Sequence, residues 1–459
     1  MRVAIVGGGI SGLSAAFTLE QCRQAANESL ECTLFESSPR LGGVLRTEQV
    51  DGCVVEAGPD SFLTEKPWAA ELCRSVGIGD QLIGSNDATR KTYILRARRL
   101  VEIPEGLMFM VPTKIFPVLT SPLFSWKTKL RIAQEFLRPP DAARNDESVA
   151  ALVTRHYGEE MVDRLADPLL SGIYGGSAQE LSVRAVMPRF AEMEREHGSL
   201  SRAMVKSRKK IFANIQRPLF TSLKNGMEQL VQAVVSRLAP LSLRTNSAVC
   251  TIQPDANGWK VSAGEYTGNF EALIFALPAH ATASLLRECA PPLSAELSAI
   301  RYTSSITVAL GFDANVRHSL PPGFGFLVPR SEGLQMLAAT FVHNKFSHRV
   351  PQSRALIRCA FAGANADALE QQSDLQIAGV VRQELQQILG LRAEPLFTRV
   401  YRWKSAMAQY GAGHLERLER IDQLCRQLPR LALAGNGYCG IGIPDCVRSG
   451  SDAANRVLS

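Results

Sequence analysis

Two features of this 459-residue chain have the residue types and spacing to do chemistry on a nucleotide. The first is Gly7-Gly8-Gly9-Ile10-Ser11-Gly12. Gly7 permits a tight turn, Gly9 leaves the backbone bare for a pyrophosphate to approach, and Gly12 lets a helix pack close to a strand. Ser11 lies in the same turn, at the entry to that helix. The second feature is Glu36, a carboxylate placed to accept both hydrogen bonds of a ribose diol. These residues work only if particular elements hold them. Arg2-Val3-Ala4-Ile5-Val6 supplies a β-branched strand before the glycines, and 13–19 has the composition of a helix after them. That helix would turn its unpaired N-terminal N–H groups toward the phosphates. A second strand, Cys32-Thr33-Leu34-Phe35, delivers Glu36 at its end.

Other chemistries find little support. Ten cysteines stand at 22, 32, 53, 73, 250, 289, 359, 425, 439 and 446 without a CxxC pair or repeated spacing, so neither a disulfide framework nor a zinc site is expected. The seven histidines are scattered, the closest pair being His343 and His348, and no metal is expected. Lys and Arg number 51 against 44 Asp and Glu, a net charge of +7 that is too dilute for a nucleic-acid partner. With 46% apolar and 21% charged residues the chain is globular, and its length suggests about three domains. MRVAIVGGG enters a strand at once and has no signal-peptide pattern, which suggests a cytoplasmic protein. Residues 107–126 are apolar but contain Pro112, Pro117 and Pro122, which argues against a membrane span. Segment 199–217 carries Arg202, Lys206, Arg208, Lys209, Lys210 and Arg217 without an acid and reads as a basic amphipathic helix, suited to an anionic membrane surface or to solvent.

Beyond Glu36, the string Glu36-Ser37-Ser38-Pro39-Arg40-Leu41-Gly42-Gly43 resembles the continuation found in the amine-oxidase-like FAD superfamily. The resemblance implies that Arg40, Gly42 and Gly43 lie along the FAD diphosphate and that the Gly58-Pro59 bend in Glu56–Phe62 brings backbone to the isoalloxazine. Leu431-Ala432-Leu433-Ala434-Gly435-Asn436-Gly437 and Ile441-Gly442-Ile443-Pro444-Asp445 resemble its C-terminal flavin segment. A helix beginning there, with Pro444 in its first turn, would stabilise negative charge at the flavin's pyrimidine end. The strands around 249–252, 259–261 and 271–278 resemble the middle FAD segment, with Val249 at the adenine.

By pattern, 146–190 is helical, broken at Asp167-Pro168 and at Gly175-Gly176-Ser177. Its string Pro168-Leu169-Leu170-Ser171-Gly172-Ile173-Tyr174-Gly175-Gly176, with Leu181-Ser182 and Arg184 after it, resembles the oxygen-dependent protoporphyrinogen/coproporphyrinogen oxidases. So do Asn225-Gly226-Met227-Glu228, Trp403-Lys404, Gln409-Tyr410-Gly411 and 435–446. The resemblance runs the whole length. It implies an α/β fold of three parts: a discontinuous Rossmann-type FAD-binding domain (1–85, 218–285 and 405–459), a mixed α/β substrate domain (86–98, 206–217 and 286–404) and an inserted helical domain (99–205). It also implies oxidation of a porphyrinogen by FAD and dioxygen, with hydrogen peroxide as the second product and no indispensable catalytic side chain. A flat apolar slot with cations at its rim should take the substrate. Gly172 is expected beside the substrate ring, and Lys91 and Arg96, flanking the strand 92–95, are candidates for its carboxylates; Trp403 is assigned to the cofactor. Peripheral membrane attachment and a homodimer complete the expectations. The competing readings are a carotenoid desaturase or amine oxidase of the same fold, and a non-catalytic relative of it.

Overall fold

The computed structural model describes the chain apart from residues 27–28, 109, 141–144, 213–216 and 239–241. Its first layer is a parallel sheet of five strands in the order Ser242–Arg244, Glu31–Phe35, Arg2–Val6, Ala272–Phe275, Leu431–Leu433. These strands come from the beginning, middle and end of the chain, so one sheet ties together residues more than four hundred positions apart. Both faces are covered, which is why the strands are continuous apolar runs rather than alternating ones. Val3 and Ile5 point to a core shared with helices Ile10–Ala26 and Ile443–Leu458. Ala4 and Val6 point the other way, onto a three-stranded antiparallel sheet, Val249–Asp255, Gly258–Ala263 and Tyr266–Phe270. The third of those strands was not expected. Gly268 and Asn269 weaken its propensity, and Phe270 is its one buried side chain.

The second layer is a mixed seven-stranded sheet in the order Phe397–Ala408, Tyr302–Asp313, Arg354–Ala362, Ala338–Phe341, Gly325–Leu327, Thr92–Arg96, Arg99–Glu102. All neighbours are antiparallel except Gly325–Leu327 and Thr92–Arg96. Helix Asp374–Leu389 covers one face, capped at its start by Ser373 and Gln376 reciprocally and stopped by Gly390 in the left-handed conformation. The other face meets two different things. Ala309, Leu356 and Tyr401 pack on Cys53, Val55 and Ala57, next to the parallel layer, while Ile94 and Leu327 pack on a cluster of helices within 115–212.

Those helices depart from expectation at Asp167-Pro168. The chain does not break there: a π-type stretch, Val162–Ala166, runs directly into helix Asp167–Tyr174. Proline lacks the N–H that a regular turn would use, and the wider π turn ahead of it relieves the ring's clash with the preceding carbonyl. The break at Gly175 does occur, with φ +67°. The basic segment forms helix Leu200–Phe212, shorter than 199–217; residues 213–216, and the side chains of Arg208, Lys209 and Lys210, lie outside the described residues. Arg202 is turned inward onto the carbonyls of Phe136, Arg138 and His197. Within 107–126 the described residues include two short strands, Leu107–Met108 and Val111–Pro112, and helix Ile115–Thr120, and among the described residues no helix is long and apolar enough to cross a membrane.

Candidate cofactor and substrate site

The glycine turn has a different constraint at each position. Gly7 has φ +111°, and a Cβ there would stand 2.4 Å from the Ala276 carbonyl oxygen. A Cβ on Gly12 would stand 1.9 Å from the Gly7 carbonyl oxygen. Both are therefore fixed by the fold. Gly9 is different, since a Cβ there would meet nothing within 4 Å. Beside it the twin glycines pack directly against the turn: a Cβ on Gly43 would lie 3.3 Å from the Gly9 Cα, Gly9 and Gly42 form a β-bridge, and Gly42 donates its N–H to the Gly8 carbonyl at 2.8 Å. Adjoining bare backbones thus border the open space on the Cβ side of Gly9 at the helix N-terminus, a surface a diphosphate can approach. Ser11 is buried on the first turn of the helix.

Glu36 is held in place by backbone. Its two oxygens accept from Gly8 N–H and Ser38 N–H, each at 2.8 Å, leaving lone pairs for a diol. Ser247 donates to the Glu36 carbonyl at 2.8 Å, which sets the half-buried Val249 two residues further along the wall that leaves Glu36. Arg40 braces its own loop. Its guanidinium donates to the carbonyls of Leu41, Gly43 and Leu45, so it shapes the twin-glycine turn from within.

The Gly58-Pro59 bend is clamped by the seven-stranded sheet. Trp403 Nε1 donates to the Ala57 carbonyl at 2.9 Å and Arg358 to the Gly58 carbonyl. Arg349, fully buried, donates to the Asp60 carbonyl at 3.2 Å and pairs with Glu56 at 3.0 Å. Lys345 Nζ lies 3.0 Å from the Asp60 carboxylate. Burial pushes the Glu56 carboxyl up and the Lys345 ammonium down, whereas Lys345 and Arg358 overcome burial at Asp60 and hold its carboxyl far below the usual range. None of these ion-pair partners was singled out from sequence. Lys345 and Arg349 sit in short turns without periodicity, and nothing in sequence places them beside residue 60.

At the other end, Gly435 (φ +128°) donates to Ser449 Oγ at 3.1 Å, and Gly442 caps the helix that starts at Ile443, with Ile441 half-buried ahead of it. Asp445 in that first turn pairs with Lys66 at 2.6 Å, a partner sequence reasoning missed.

The seven-stranded sheet supplies a floor between the clamped bend and the helices. One cross-strand row runs Tyr401, Thr307, Ala360, Ala338, Leu327, Ile94; the next runs Ala309, Arg358, Thr340, Gly325, Thr92. Residues paired across strands share a face. Ala360, Ala338, Thr340 and Leu327 are only half-buried although they lie in the middle strands, while their alternates Cys359, Phe361, Ala339 and Phe341 are buried under the covering helix. Small side chains here leave a shallow slot. Gly172 overlooks it: a Cβ there would touch only Leu327 Cδ2, at 4.0 Å. Gly175, at the end of the same helix, abuts Thr303, Ala362 and Met407 of the sheet. Arg96 shares the face of Ile94 and hence of Gly172, whereas Lys91 projects to the opposite face and pairs with Glu102 at 2.9 Å. Among the described residues no group of three or more His, Cys, Asp or Glu could hold a metal ion.

A dinucleotide cradle beside a walled slot, with one bend clamped between them, defines a nucleotide-cofactor oxidoreductase with a separate substrate layer. Residues 10–458 match the flavin containing amine oxidoreductases, and the chain belongs to that family. Its cofactor is FAD, which Gly9, Gly43 and Glu36 fit. A coproporphyrinogen III oxidase of Bacillus subtilis (strain 168) is 33% identical, over 100% of this chain and 98% of that protein. One from Mycobacterium tuberculosis (strain H37Rv) is 32% identical, over 99% and 96%. A crystal structure from Exiguobacterium sp. 255-15, provisionally assigned as a protoporphyrinogen oxidase, has TM-score 0.88 and 28% identity, covering 100% of this chain and 99% of that one.

Proposed function

We propose that the chain oxidises a porphyrinogen to its porphyrin in heme biosynthesis, with coproporphyrinogen III as the preferred substrate. The observation that carries the reading is the slot: a flat floor of Thr307, Ala360, Ala338 and Leu327 under a bare Gly172, next to the Gly58-Pro59 bend. The names of the full-length relatives support the substrate class. In the reaction six electrons and six hydrogens leave the macrocycle, and three molecules of dioxygen take them up as three of hydrogen peroxide. Bound FAD supplies the two-electron redox chemistry that no side chain here can provide. The protein's share is orientation: the floor sets the plane of the macrocycle, and the clamps on Ala57, Gly58 and Asp60 set the bend against it. The floor offers the hydroxyls of Thr307 and Thr340 and the guanidinium of Arg358.

The cofactor set in this reading is Gly7, Gly9, Ser11, Gly12, Glu36, Gly42, Gly43, Gly58, Pro59, Val249, Trp403, Gly435, Ile441, Gly442 and Ile443, with Arg40 acting through the turn it shapes. The three-part division of the chain belongs to the same reading, and the two large sheets depart from its bounds at two places: strand Arg99–Glu102 of the proposed helical insert joins the seven-stranded sheet, and strand Phe397–Ala408 runs past 404 into the cofactor part. Peripheral attachment to an anionic membrane is supported by exposed Phe116, Trp126, Leu130 and Leu137 beside exposed Lys127 and Arg131; salt-insensitive failure to sediment with anionic vesicles would remove it. The deciding experiment follows porphyrin fluorescence with coproporphyrinogen III and protoporphyrinogen IX in parallel. A higher kcat/KM for the former is expected, and oxidation of neither refutes the reading.

A further inference from the structure

The slot floor contains a cation that has no ion-pair partner of its own among the described residues. Arg354 and Arg399, on the same face of the sheet, are paired with Asp51 at 2.6 Å and Glu48 at 3.3 Å. Arg358 lies between them and the slot's centre, opposite Ala309 on one side and Thr340 on the other. Among the described residues no carboxylate lies within ion-pair distance of it. Its guanidinium donates to the Gly58 carbonyl and, at 3.5 Å, to Thr307 Oγ1, and its buried Nε has no partner. Nearby, Lys345, Arg349 and Arg358 share only two carboxylates, Glu56 and Asp60, and both are already engaged by Arg349 and Lys345. A half-buried guanidinium with donors to spare is costly unless an anion meets it. Its planar fork matches a carboxylate in particular.

We propose that Arg358 is the residue on the slot floor that binds a carboxylate of the substrate, with the Gly58 carbonyl fixing the plane of the guanidinium. The assignment rests on the porphyrinogen reading and deepens it. It places the anchor on a central strand, between Ala309 and Thr340, where the backbone is paired on both sides.

The test uses the flavin-loaded protein and two stable probes, coproporphyrin III and its tetramethyl ester, titrated by porphyrin fluorescence. Wild type is expected to bind the acid more tightly than the ester. Arg358→Met should weaken the acid by about tenfold or more beyond any loss it causes for the ester, the scale of a lost charge-assisted hydrogen bond, because loss of the Gly58 clamp would act on both probes alike. Arg358→Lys should restore part of the preference for the acid. Flavin content and melting temperature are measured alongside, and Arg358→Gln, which keeps a donor for Gly58, replaces the Met variant if that one does not fold. Equal weakening of acid and ester, or of neither, overturns the proposal and leaves Arg358 as a clamp on the bend alone. If wild type binds neither probe, the porphyrinogen reading itself falls and takes the proposal with it.

Discussion

Gly9 and Gly12 lie three residues apart in one motif, yet a single methyl group should separate their roles. In Gly9→Ala the new Cβ meets no protein atom within 4 Å, so the apo-protein should melt within about 1 kcal/mol of wild type. In Gly12→Ala the Cβ stands 1.9 Å from the Gly7 carbonyl oxygen, which cannot retreat because Gly7 itself lies against Ala276. Overpacking against fixed backbone costs about 1–3 kcal/mol or more, and much of it should appear without any cofactor. The order reverses for FAD. The Gly9 methyl enters the open space beside the turn, which this reading gives to the diphosphate, and a penalty of about 1–3 kcal/mol corresponds to roughly 5- to 150-fold weaker binding. The assay is denaturation of the apo-protein, then fluorescence titration of FAD into each folded variant. If Gly9→Ala destabilises the apo-protein as much as Gly12→Ala, or binds FAD like wild type, the assignment of that space to the cofactor is mistaken.

Two further outcomes follow from buried ionisable groups. Lys345→Met strands the Asp60 carboxylate, whose side chain is 14% exposed, and should cost about 3–5 kcal/mol, whereas adding Asp60→Asn should recover much of the loss; strict additivity in a denaturant double-mutant cycle would rule out the pair. Burial, helped by Arg317, holds the His343 imidazole down at about 4 from its ordinary 6.5. The fold therefore keeps it neutral while the unfolded chain takes up a proton below about pH 6.5, so stability is full above that pH and falls toward pH 4. The contribution is about 3 kcal/mol, and His343→Gln should flatten thermal stability across this window; an unchanged pH profile would refute it.

The cofactor half of the site was legible because its physics is local. A turn needing φ +111° at Gly7, a bare Gly9 and a carboxylate at the end of the next strand are requirements on neighbouring residues, and the residue types announce them. That the first and last strands share one sheet was an expectation carried by the family resemblance, since two apolar runs more than four hundred residues apart do not by themselves say that they pair into the same layer. Arg40 shows where local reasoning stops, since whether its fork reaches a phosphate or its own loop's carbonyls depends on how the turn closes. Pro168 was misread for a related reason: a proline predicts a break only if the turn before it stays regular, and here it widens.

The substrate half was set by pairing between strands distant in sequence. Which of Lys91 and Arg96 shares a face with Gly172 follows from strand parity and from what each face packs against, and neither is written in the segment 90–96. The slot exists because Thr307, Ala338, Ala360 and Leu327, from four separate strands, fall into one row, and Arg358 matters because the next row sets it beside Gly58. Individually these are ordinary small or charged residues. Alternation and glycine chemistry act over a few bonds and can be read from one segment, whereas a floor, a clamp and an unpaired charge are properties of neighbours that only the folded chain brings together.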